Sequence, residues 1–295
     1  MRLVALVILI ASALAGPAAA ADGPLFLWTA QRDGARIDLL GSVHAGQSGW
    51  YPLDERIEAA FAAADTVACE LNVTDPAVAM TVAALAMQQG MYPPDESLQA
   101  NVSAETWRRL TAVEGLPVPP SYLDRMRPGL AATMVAQAYL ARAGLDPEQG
   151  IDRHLLTRAT GAGRPVVDLE TAEQQVALLM GPDAVIDAKM LEEALAESPE
   201  AMLEIMDDLV AAWRAGDPAA MDAAYREQWS DDASMQQFHQ EMLVSRNRGM
   251  AEGLAHRRGR WFVVVGALHL CGDDGVPALL AEAGWTVTQV GAGEP

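Results

Sequence analysis

The amino-acid sequence predicts an α/β fold, with a central mixed β-sheet built from the N- and C-terminal segments and a large helical insertion. Short apolar runs typical of buried strands cluster near both ends of the chain, and the stretch between them, about residues 75–256, has mostly helical patterning. The composition agrees, because 51% hydrophobic and 20% charged residues over 295 positions are typical of a globular protein with a sizeable core. No linker indicates independent domains, so we expect residues 21–295 to form a single domain.

Residues 1–20 are predicted to be a signal peptide that is removed on export. The segment MRLVALVILIASALAGPAAA has one positive charge, at Arg2, then an apolar run and a small-residue end with an Ala-x-Ala cleavage site. The alternative is an N-terminal membrane anchor, but the apolar run is short for a spanning helix and is interrupted by serine, glycine and proline. We therefore expect a periplasmic or secreted protein without a stable membrane anchor.

After this segment the chain is predicted to form a β-hairpin and a strand–helix–strand unit. The apolar runs LFLWTAQ and RIDLLGS flank Asp33-Gly34, which is a strong hairpin signal. The segment DERIEAAFAAAD is predicted to be a helix with Asp54 as its N-cap, and TVACEL a short buried strand that ends at Glu70. This order predicts a right-handed βαβ crossover.

The middle of the chain is predicted to be mostly helical, with one further strand. From about Asp75 to Gly163, helices alternate with loops around MYPPDE and LPVPPS. PVVDLE is then predicted to be a short strand that ends at Glu170, and TAEQQVALLM a helix. Three or four amphipathic helices follow, from Pro182 to about His256. The last of them places four apolar side chains near one stripe, expected to fill the core: Met235, Phe238, Met242 and Met250.

The C-terminal segment returns to strand patterning. WFVVVG is predicted to be a buried strand, DGVPALLAEAG a helix that ends at Gly284, and WTVTQV the final strand. These strands are expected to join the N-terminal ones in one sheet.

The charge balance excludes two classes of partner. The formal net charge is −20, so the chain has no general basic field for nucleic acid and no polybasic patch for a membrane surface. The sequence also contains no Gly-x-Ser-x-Gly elbow, no phosphate-binding loop and no Gly-x-Gly-x-x-Gly fingerprint, which disfavours a serine hydrolase and nucleotide binding.

Two histidines follow apolar strand runs with the same spacing. IDLLGSVHAG places His44 three residues after Gly41, and WFVVVGALHLCG places His269 three residues after Gly266. A third Gly-x-x-His ends at His256; it is predicted on a helix end and is interpreted as chance. In an α/β sheet, ligands bind outside the carboxyl ends of the strands, where glycine permits a sharp turn and leaves room for a ligand.

Two glutamates, Glu70 and Glu170, also end predicted strands. Two imidazoles and one or two carboxylates from different strands are typical of a divalent-metal site, such as the His₂Glu set of catalytic zinc. Carboxylates also favour harder ions such as Mn²⁺, Co²⁺ or Fe²⁺. The alternatives are buried, hydrogen-bonded histidines, and glutamates that serve as helix N-cap partners or in salt bridges to arginine.

Other polar residues are less distinctive. Arg246 and Asn247 lie in the middle of the last amphipathic helix, where such residues usually form a solvated edge, although they are also able to reach the site and bind a carboxylate or an oxyanion. His154 is predicted on a helix capped by Asp152. His239 has no His-Glu-x-x-His motif around it, and both histidines are interpreted as structural.

The two cysteines leave two possibilities open. Cys69 precedes Glu70, and Cys271 lies two residues after His269. An oxidising compartment permits a disulfide between them, and two buried thiols are equally compatible with the sequence. A nucleophilic cysteine is disfavoured in such a compartment.

Taken in order, the motifs resemble those of the TraB/GumN family, which is related to the Tiki membrane proteases. The matching stretches are LLGSVHAG, VACELN, GIDRHLLTRATGAGRPVVDLETAEQQ, SRNRGMAEGL and FVVVGALHLCGDDGV, and they cover nearly the whole mature chain. Residues that match the family pattern are His44, Glu70, Glu170, Arg246, Asn247 and His269. The resemblance implies a metal-dependent hydrolase site, with proteolysis and a preference for Mn²⁺ or Co²⁺ in the Tiki relatives.

We therefore predict an exported metal-dependent hydrolase, peptidase-like, that acts on a peptide or another small hydrolysable substrate. The predicted ligands of a divalent ion (Mn²⁺, Co²⁺ or Zn²⁺) are His44, Glu70 and His269. The predicted catalytic residues are Glu70 or Glu170 as general base, with Arg246 and Asn247 orienting the substrate or stabilising the oxyanion.

Two other functions remain open on the sequence. The same pocket is suited to a periplasmic accessory protein that holds a metal, a haem or a small ligand without turnover, for example in polysaccharide export. A cysteine-based redox protein is the other possibility.

Overall fold

Six strands form one mixed β-sheet in the part of the chain that the computed structural model describes, residues 23–196, 198–228 and 231–292. They are β1 (Leu27–Arg32), β2 (Ala35–Ser42), β3 (Thr66–Cys69), β4 (Val166–Asp168), β5 (Arg260–Gly266) and β6 (Thr286–Gln289). Across the sheet they lie in the order β4-β3-β5-β2-β1-β6. The predicted signal peptide, residues 1–20, lies outside the described residues.

Helices cover the sheet and form the insertion, which confirms the predicted fold class. The α-helices are α1 (Glu55–Ala63), α2 (Pro76–Gly90), α3 (Leu98–Asn101), α4 (Ala104–Thr111), α5 (Pro120–Leu123), α6 (Pro128–Arg142), α7 (Ile151–Gly161), α8 (Ala172–Leu179), α9 (Ala184–Ala194), α10 (Pro199–Arg214), α11 (Pro218–Arg226), α12 (Ala233–Ala255) and α13 (Val276–Glu282). Short 3₁₀ helices occupy Ser48–Trp50, Pro147–Gln149 and Ala267–Leu270. The insertion is interrupted by β4, which joins the sheet at its edge.

The predicted hairpin is present between β1 and β2. The strands pair antiparallel, with Arg32 opposite Ala35. The two turn residues, Asp33 and Gly34, have φ angles of 49° and 79°, as a tight hairpin turn requires. Asp54 is the N-cap of α1, also as predicted, and its carboxylate accepts the Arg56 N–H.

Four adjacent strands of the sheet are parallel, and this arrangement positions the site. β5 lies between β2 and β3 and is parallel to both, and β4 lies parallel on the other side of β3. In register, Ser42 is paired with Gly266, and Cys69 with both Val264 and Asp168. The carboxyl ends of β4, β3, β5 and β2 therefore meet at one edge of the sheet.

Two large apolar clusters stabilise the fold. One packs on the sheet and includes the buried strand residues Ile37, Leu39 and Phe262. The other lies within the helical insertion, and Trp50 and Ile205 contact both clusters. The apolar stripe predicted on α12 is buried, as expected: Met235, Phe238 and Met242 pack in a small cluster with α9, and Met250 packs in the sheet core.

None of the helices in the described ranges combines the length and the hydropathy needed to cross a membrane.

Candidate metal centre

The edge formed by the parallel strands brings together the predicted site residues. His44 follows β2, Glu70 follows β3, Glu170 follows β4, and His269 lies in the 3₁₀ helix after β5. α12 packs against that 3₁₀ helix and carries Arg246 and Asn247 near the middle of its length. The cluster thus contains His44, Glu70, Glu170, Arg246, Asn247 and His269.

Glu70 is the centre of this cluster. Its Oε1 lies 3.8 Å from Nε2 of His44 and 3.6 Å from Nε2 of His269, and it accepts the Gly266 N–H at 2.7 Å. Its Oε2 accepts from Nη2 of Arg246 at 2.5 Å and from the Gln175 amide at 3.2 Å. One carboxylate oxygen therefore faces both histidines, and the other faces the guanidinium.

The glycines of the two Gly-x-x-His motifs are needed for different reasons. A Cβ at Gly266 would lie 3.0 Å from Nε2 of His44 and 3.3 Å from Oε1 of Glu70, in the space between the converging side chains. A Cβ at Gly41 would instead lie 2.5 Å from a ring carbon of Phe26. The first glycine keeps the site open, whereas the second allows close packing in the core.

The remaining ring nitrogen of each histidine has its own partner. Nδ1 of His44 lies 3.2 Å from Oδ2 of Asp152, and Nδ1 of His269 lies 2.5 Å from Oδ1 of Asn247. The Asn247 amide in turn donates to the backbone oxygen of Asp274 at 2.8 Å. Carboxylate and amide oxygens only accept, so the Nδ1–H form suits both contacts and leaves a neutral ring with its lone pair on Nε2.

One expectation about these partners was wrong, and one alternative that the sequence left open is decided. Asp152 does not cap α7, since the N-cap is Gly150 and the Asp152 carboxylate faces His44 from the first turn of the helix. Asn247 does not lie on a solvated edge, because it is 2% exposed. The face of α12 that carries it packs towards the sheet edge, which periodicity alone does not reveal.

Arg246 joins the two glutamates. Its Nε donates to Oε1 of Glu170 at 2.7 Å and its Nη2 to Oε2 of Glu170 at 2.9 Å, while the same Nη2 contacts Glu70. The amide of Gln175, on α8, donates to Oε2 of both glutamates. Glu170 is thus held in a bidentate salt bridge, and the N-cap of α8 is its neighbour Thr171.

Burial and charge shift the pKa values of these groups in opposite directions. Burial lowers the pKa of His44, but Asp152 and Glu70 outweigh it and raise that pKa to about 9. Burial lowers the pKa of His269 to about 3, with Arg246 and His44 acting in the same direction. Burial by itself raises the pKa of Glu70, but His269, Arg246, His44 and the Gly266 N–H hold it well below its usual range.

A cleft of about 250 Å³ opens onto one side of the cluster. His44 and Glu70 line it, together with Asp152, Gln175 and the apolar side chain of Val73. His269 and Glu170, at 3% and 7% exposed, lie behind this surface. A ligand in the cleft therefore meets His44 and Glu70 first.

The donor set fits a divalent ion, although the side chains do not form a closed centre. Tetrahedral coordination with bonds of about 2.0–2.1 Å separates the ligand atoms by about 3.3 Å, and Oε1 of Glu70 is 3.6 and 3.8 Å from the two Nε2 atoms. Within the described residues, no group of three or more His, Cys, Asp or Glu side chains is placed so that it could hold a metal ion as it stands.

The sequence did not identify two residues that contact this cluster, Asp152 and Gln175. Both lie in the quoted stretch GIDRHLLTRATGAGRPVVDLETAEQQ, but each occupies the first turn of a helix, where acidic and amide side chains are common for local reasons. Nothing in the local pattern distinguishes a polar side chain that faces a neighbouring strand end from one that faces solvent.

The cysteines are free thiols in the structure, so of the two open possibilities the disulfide is not formed. Both are buried. Cys69 lies beside Asp168 and Cys271 donates to the backbone oxygen of Ala267. Burial raises the pKa of both thiols, chiefly through desolvation, which disfavours a nucleophilic or redox role.

The other histidines occupy structural positions, as predicted. His154 stacks on Tyr51, His239 is buried 3.4 Å from Glu193, and His256 is an exposed C-cap of α12.

Comparison with known proteins matches the chain to one family model and to the protein YbaP of two bacteria. The family model described as the TraB/PrgY/gumN family matches residues 26–289. The chain is 29% identical over 245 residues to the uncharacterized protein YbaP of Escherichia coli (strain K12), and the match covers 82% of this chain and 86% of that protein. The corresponding protein of Shigella flexneri matches to the same extent. No solved structure matches significantly.

Proposed function

Because the chain belongs to the TraB/PrgY/gumN family, we propose that it is a metal-dependent hydrolase, peptidase-like, with His44, His269 and Glu70 as ligands of Mn²⁺, Co²⁺ or Zn²⁺. The observation that carries the proposal is the convergence of both imidazole Nε2 atoms on Oε1 of Glu70, at 3.6 and 3.8 Å. A bound divalent ion supplies a Lewis acid and lowers the pKa of its water toward about 7.

The hydrogen bonds of Glu70 suit a metal ligand better than a general base. Oε2 already accepts from Arg246 and Gln175, and Oε1 accepts from Gly266, so the free lone pair is the one that faces the histidines. Glu170 is 7% exposed and in a bidentate salt bridge, so its part is to anchor Arg246. We therefore assign no general-base step to either glutamate.

Arg246 is suited to bind a substrate oxygen. Its Nε and Nη2 hold the two glutamates, and no hydrogen bond within the described residues uses its Nη1. A guanidinium N–H next to the ligand cluster is a typical donor to a substrate carboxylate or a developing oxyanion. Asn247, with both ends of its amide engaged and 2% exposed, instead holds His269 in position.

The substrate is proposed to be a peptide or another small hydrolysable molecule that reaches His44 and Glu70 through the cleft. The cleft combines apolar and polar lining, as expected for such a substrate. The signal-like segment at residues 1–20 supports action in the periplasm or outside the cell. The net charge of −20 speaks against a nucleic-acid substrate.

One observation favours a second candidate, a metal- or ligand-binding accessory protein without turnover. Arg246 engages Oε2 of Glu70, so this carboxylate offers a single oxygen to an ion, and Arg246 also neutralises the second carboxylate of the cluster. Because Arg246 holds both glutamates, neither is free to act as a general base, which is compatible with binding alone.

The proposal is tested by metal content and hydrolysis in histidine variants. Purified mature protein, H44A, H269A and the control H256A are incubated with Mn²⁺, Co²⁺ and Zn²⁺, and bound metal is measured by inductively coupled plasma mass spectrometry. His256 completes the third Gly-x-x-His, on an exposed helix end. We expect near-stoichiometric metal in the wild type and H256A, and its loss in H44A and H269A.

The loaded wild type is then assayed with a panel of peptides and esters. Hydrolysis that disappears with the metal in H44A supports the hydrolase. Stoichiometric metal without hydrolysis supports the accessory protein instead. Metal-free wild type, or full metal in H44A and H269A, overturns the metal site.

A further inference from the structure

The start of α7 is built against the segment that carries His44. The Ile151 N–H donates to the backbone oxygen of Val43 at 3.0 Å. Gly150 approaches so closely that a Cβ there would lie 2.4 Å from the backbone oxygen of His44. This glycine allows the first turn of α7 to lie beside the histidine, which brings Asp152 to its ring.

The Asp152 carboxylate is only partly satisfied by the fold. Oδ2 lies 3.2 Å from Nδ1 of His44, and the Asp152 side chain is 18% exposed. Oδ1 is buried and has no hydrogen-bond partner among the described residues. A carboxylate oxygen buried without a partner costs free energy, although the nearby N-terminus of α7 offsets part of that cost.

The two histidines of the cluster have unequal partners. His269 donates to the neutral amide of Asn247, whereas Nδ1 of His44 faces a carboxylate at 3.2 Å. A carboxylate behind an imidazole fixes the Nδ1–H tautomer and strengthens the ring as a donor through Nε2. His44 is also the histidine that lines the cleft.

We propose that Asp152 is a positioning residue for His44: it keeps the ring proton on Nδ1, aims Nε2 at Oε1 of Glu70, and makes His44 the stronger donor of the two histidines. The effect on metal affinity rests on the proposed function, whereas the effect on the ring does not. Removal of such an outer partner lowers metal affinity by about 10- to 100-fold in general.

The first measurement needs no metal. Side-chain ¹⁵N chemical shifts of His44 are recorded at a pH above its pKa of about 9, where the ring is neutral, and identify which nitrogen holds the proton in the wild type, D152A and D152N. The control is D146N, because Asp146 lies in the same segment and its carboxylate caps the Glu148 N–H instead. We expect the Nδ1–H form in the wild type and D146N, and its loss in D152A.

The second measurement is the affinity for Co²⁺ of the same four full-length mature proteins, by isothermal titration with the absorption spectrum as a check. We expect a 10- to 100-fold loss in D152A, a smaller loss in D152N and no change in D146N. D152N also replaces D152A if the alanine variant does not fold. An unchanged tautomer in D152A, or an unchanged Co²⁺ affinity in D152A and D152N, overturns the proposal. If the wild-type protein holds the Nδ1–H form but binds no Co²⁺, the proposed metal site is refuted. In that case, loss of the Nδ1–H form in D152A still supports the positioning of His44 by Asp152.

Discussion

The repeated Gly-x-x-His illustrates how much a single residue pattern predicts. Its position after two buried strands correctly placed both histidines at one edge of the sheet, because the carboxyl ends of parallel strands coincide. The pattern did not show that the two glycines are needed for different reasons. A Cβ at Gly266 would meet His44 and Glu70, and a Cβ at Gly41 would meet Phe26, and these residues lie in other segments of the chain. The motif therefore predicted where its residues lie in the sheet, but not why each glycine is required.

Gly266→Ala is expected to impair the site while preserving the fold. Gly266 has φ −52° and ψ 138°, which alanine adopts without strain, so the free energy of unfolding should change by at most about 1 kcal/mol. The added Cβ lies between His44 and Glu70, so we expect metal affinity to fall on the order of tenfold to a hundredfold, as it does when ligand orientation is disturbed. Isothermal titration with Co²⁺ measures the affinity, and urea unfolding measures the stability.

Gly249→Ala is the control for this prediction. Gly249 lies on α12 with open space around it, so the substitution should leave the Co²⁺ affinity unchanged. Equal affinities for both variants and the wild type would contradict the prediction.

At the scale of elements, strands were easier to predict than the faces of helices. All the strands of the sheet had been recognised from apolar runs and turn residues. By contrast, the orientation of α12 was not readable, because Arg246 and Asn247 interrupt its apolar stripe and resemble a solvated edge. Which face of a helix meets a strand end depends on packing between segments far apart in sequence. For the same reason, Asp152 on α7 and Gln175 on α8 were missed.

Thr171→Ala is expected to weaken α8 and, through it, the site. Thr171 and Gln174 form a capping box, in which the hydroxyl accepts the Gln174 N–H and the Gln174 side chain accepts the Thr171 N–H. Loss of this cap should cost about 1 kcal/mol of folding free energy. It also loosens the turn that carries Gln175, so Co²⁺ affinity should fall by a few-fold.

Ser103→Ala is a matched control for this prediction. Ser103 caps α4 through the Thr106 N–H, in a helix that contributes no residue to the cluster. Its loss should cost a similar free energy in urea unfolding without changing Co²⁺ affinity. If both variants lower the affinity equally, the effect reflects global stability and not the position of Gln175.

At the scale of the whole molecule, the site joins the two ends of the chain to its insertion. β2, β3 and β5 come from the terminal segments, whereas Glu170, Gln175 and Arg246 come from the insertion. The sequence predicted this architecture because its strand and helix patterns are segregated along the chain. It did not predict that a single guanidinium from α12 would bridge the ends of β3 and β4, since that contact depends on the path of the whole insertion.

This bridge predicts that Arg246 stabilises the molecule as well as its site. Arg246→Met leaves Glu70 and Glu170 buried with no cation beside them except histidine, and removing one partner of a buried ion pair typically costs about 3–5 kcal/mol. Adding Glu170→Gln removes one of the two unpaired charges, so the double variant should be more stable than Arg246→Met alone. Urea unfolding measures both. Arg248 lies on the same helix as Arg246 and has an exposed contact with Asp274, so Arg248→Met should change stability by no more than about 1 kcal/mol. A double variant less stable than Arg246→Met would mean that Glu170 stabilises the fold by contacts other than its pairing with the guanidinium, and that the two glutamates do not repel each other in the folded protein.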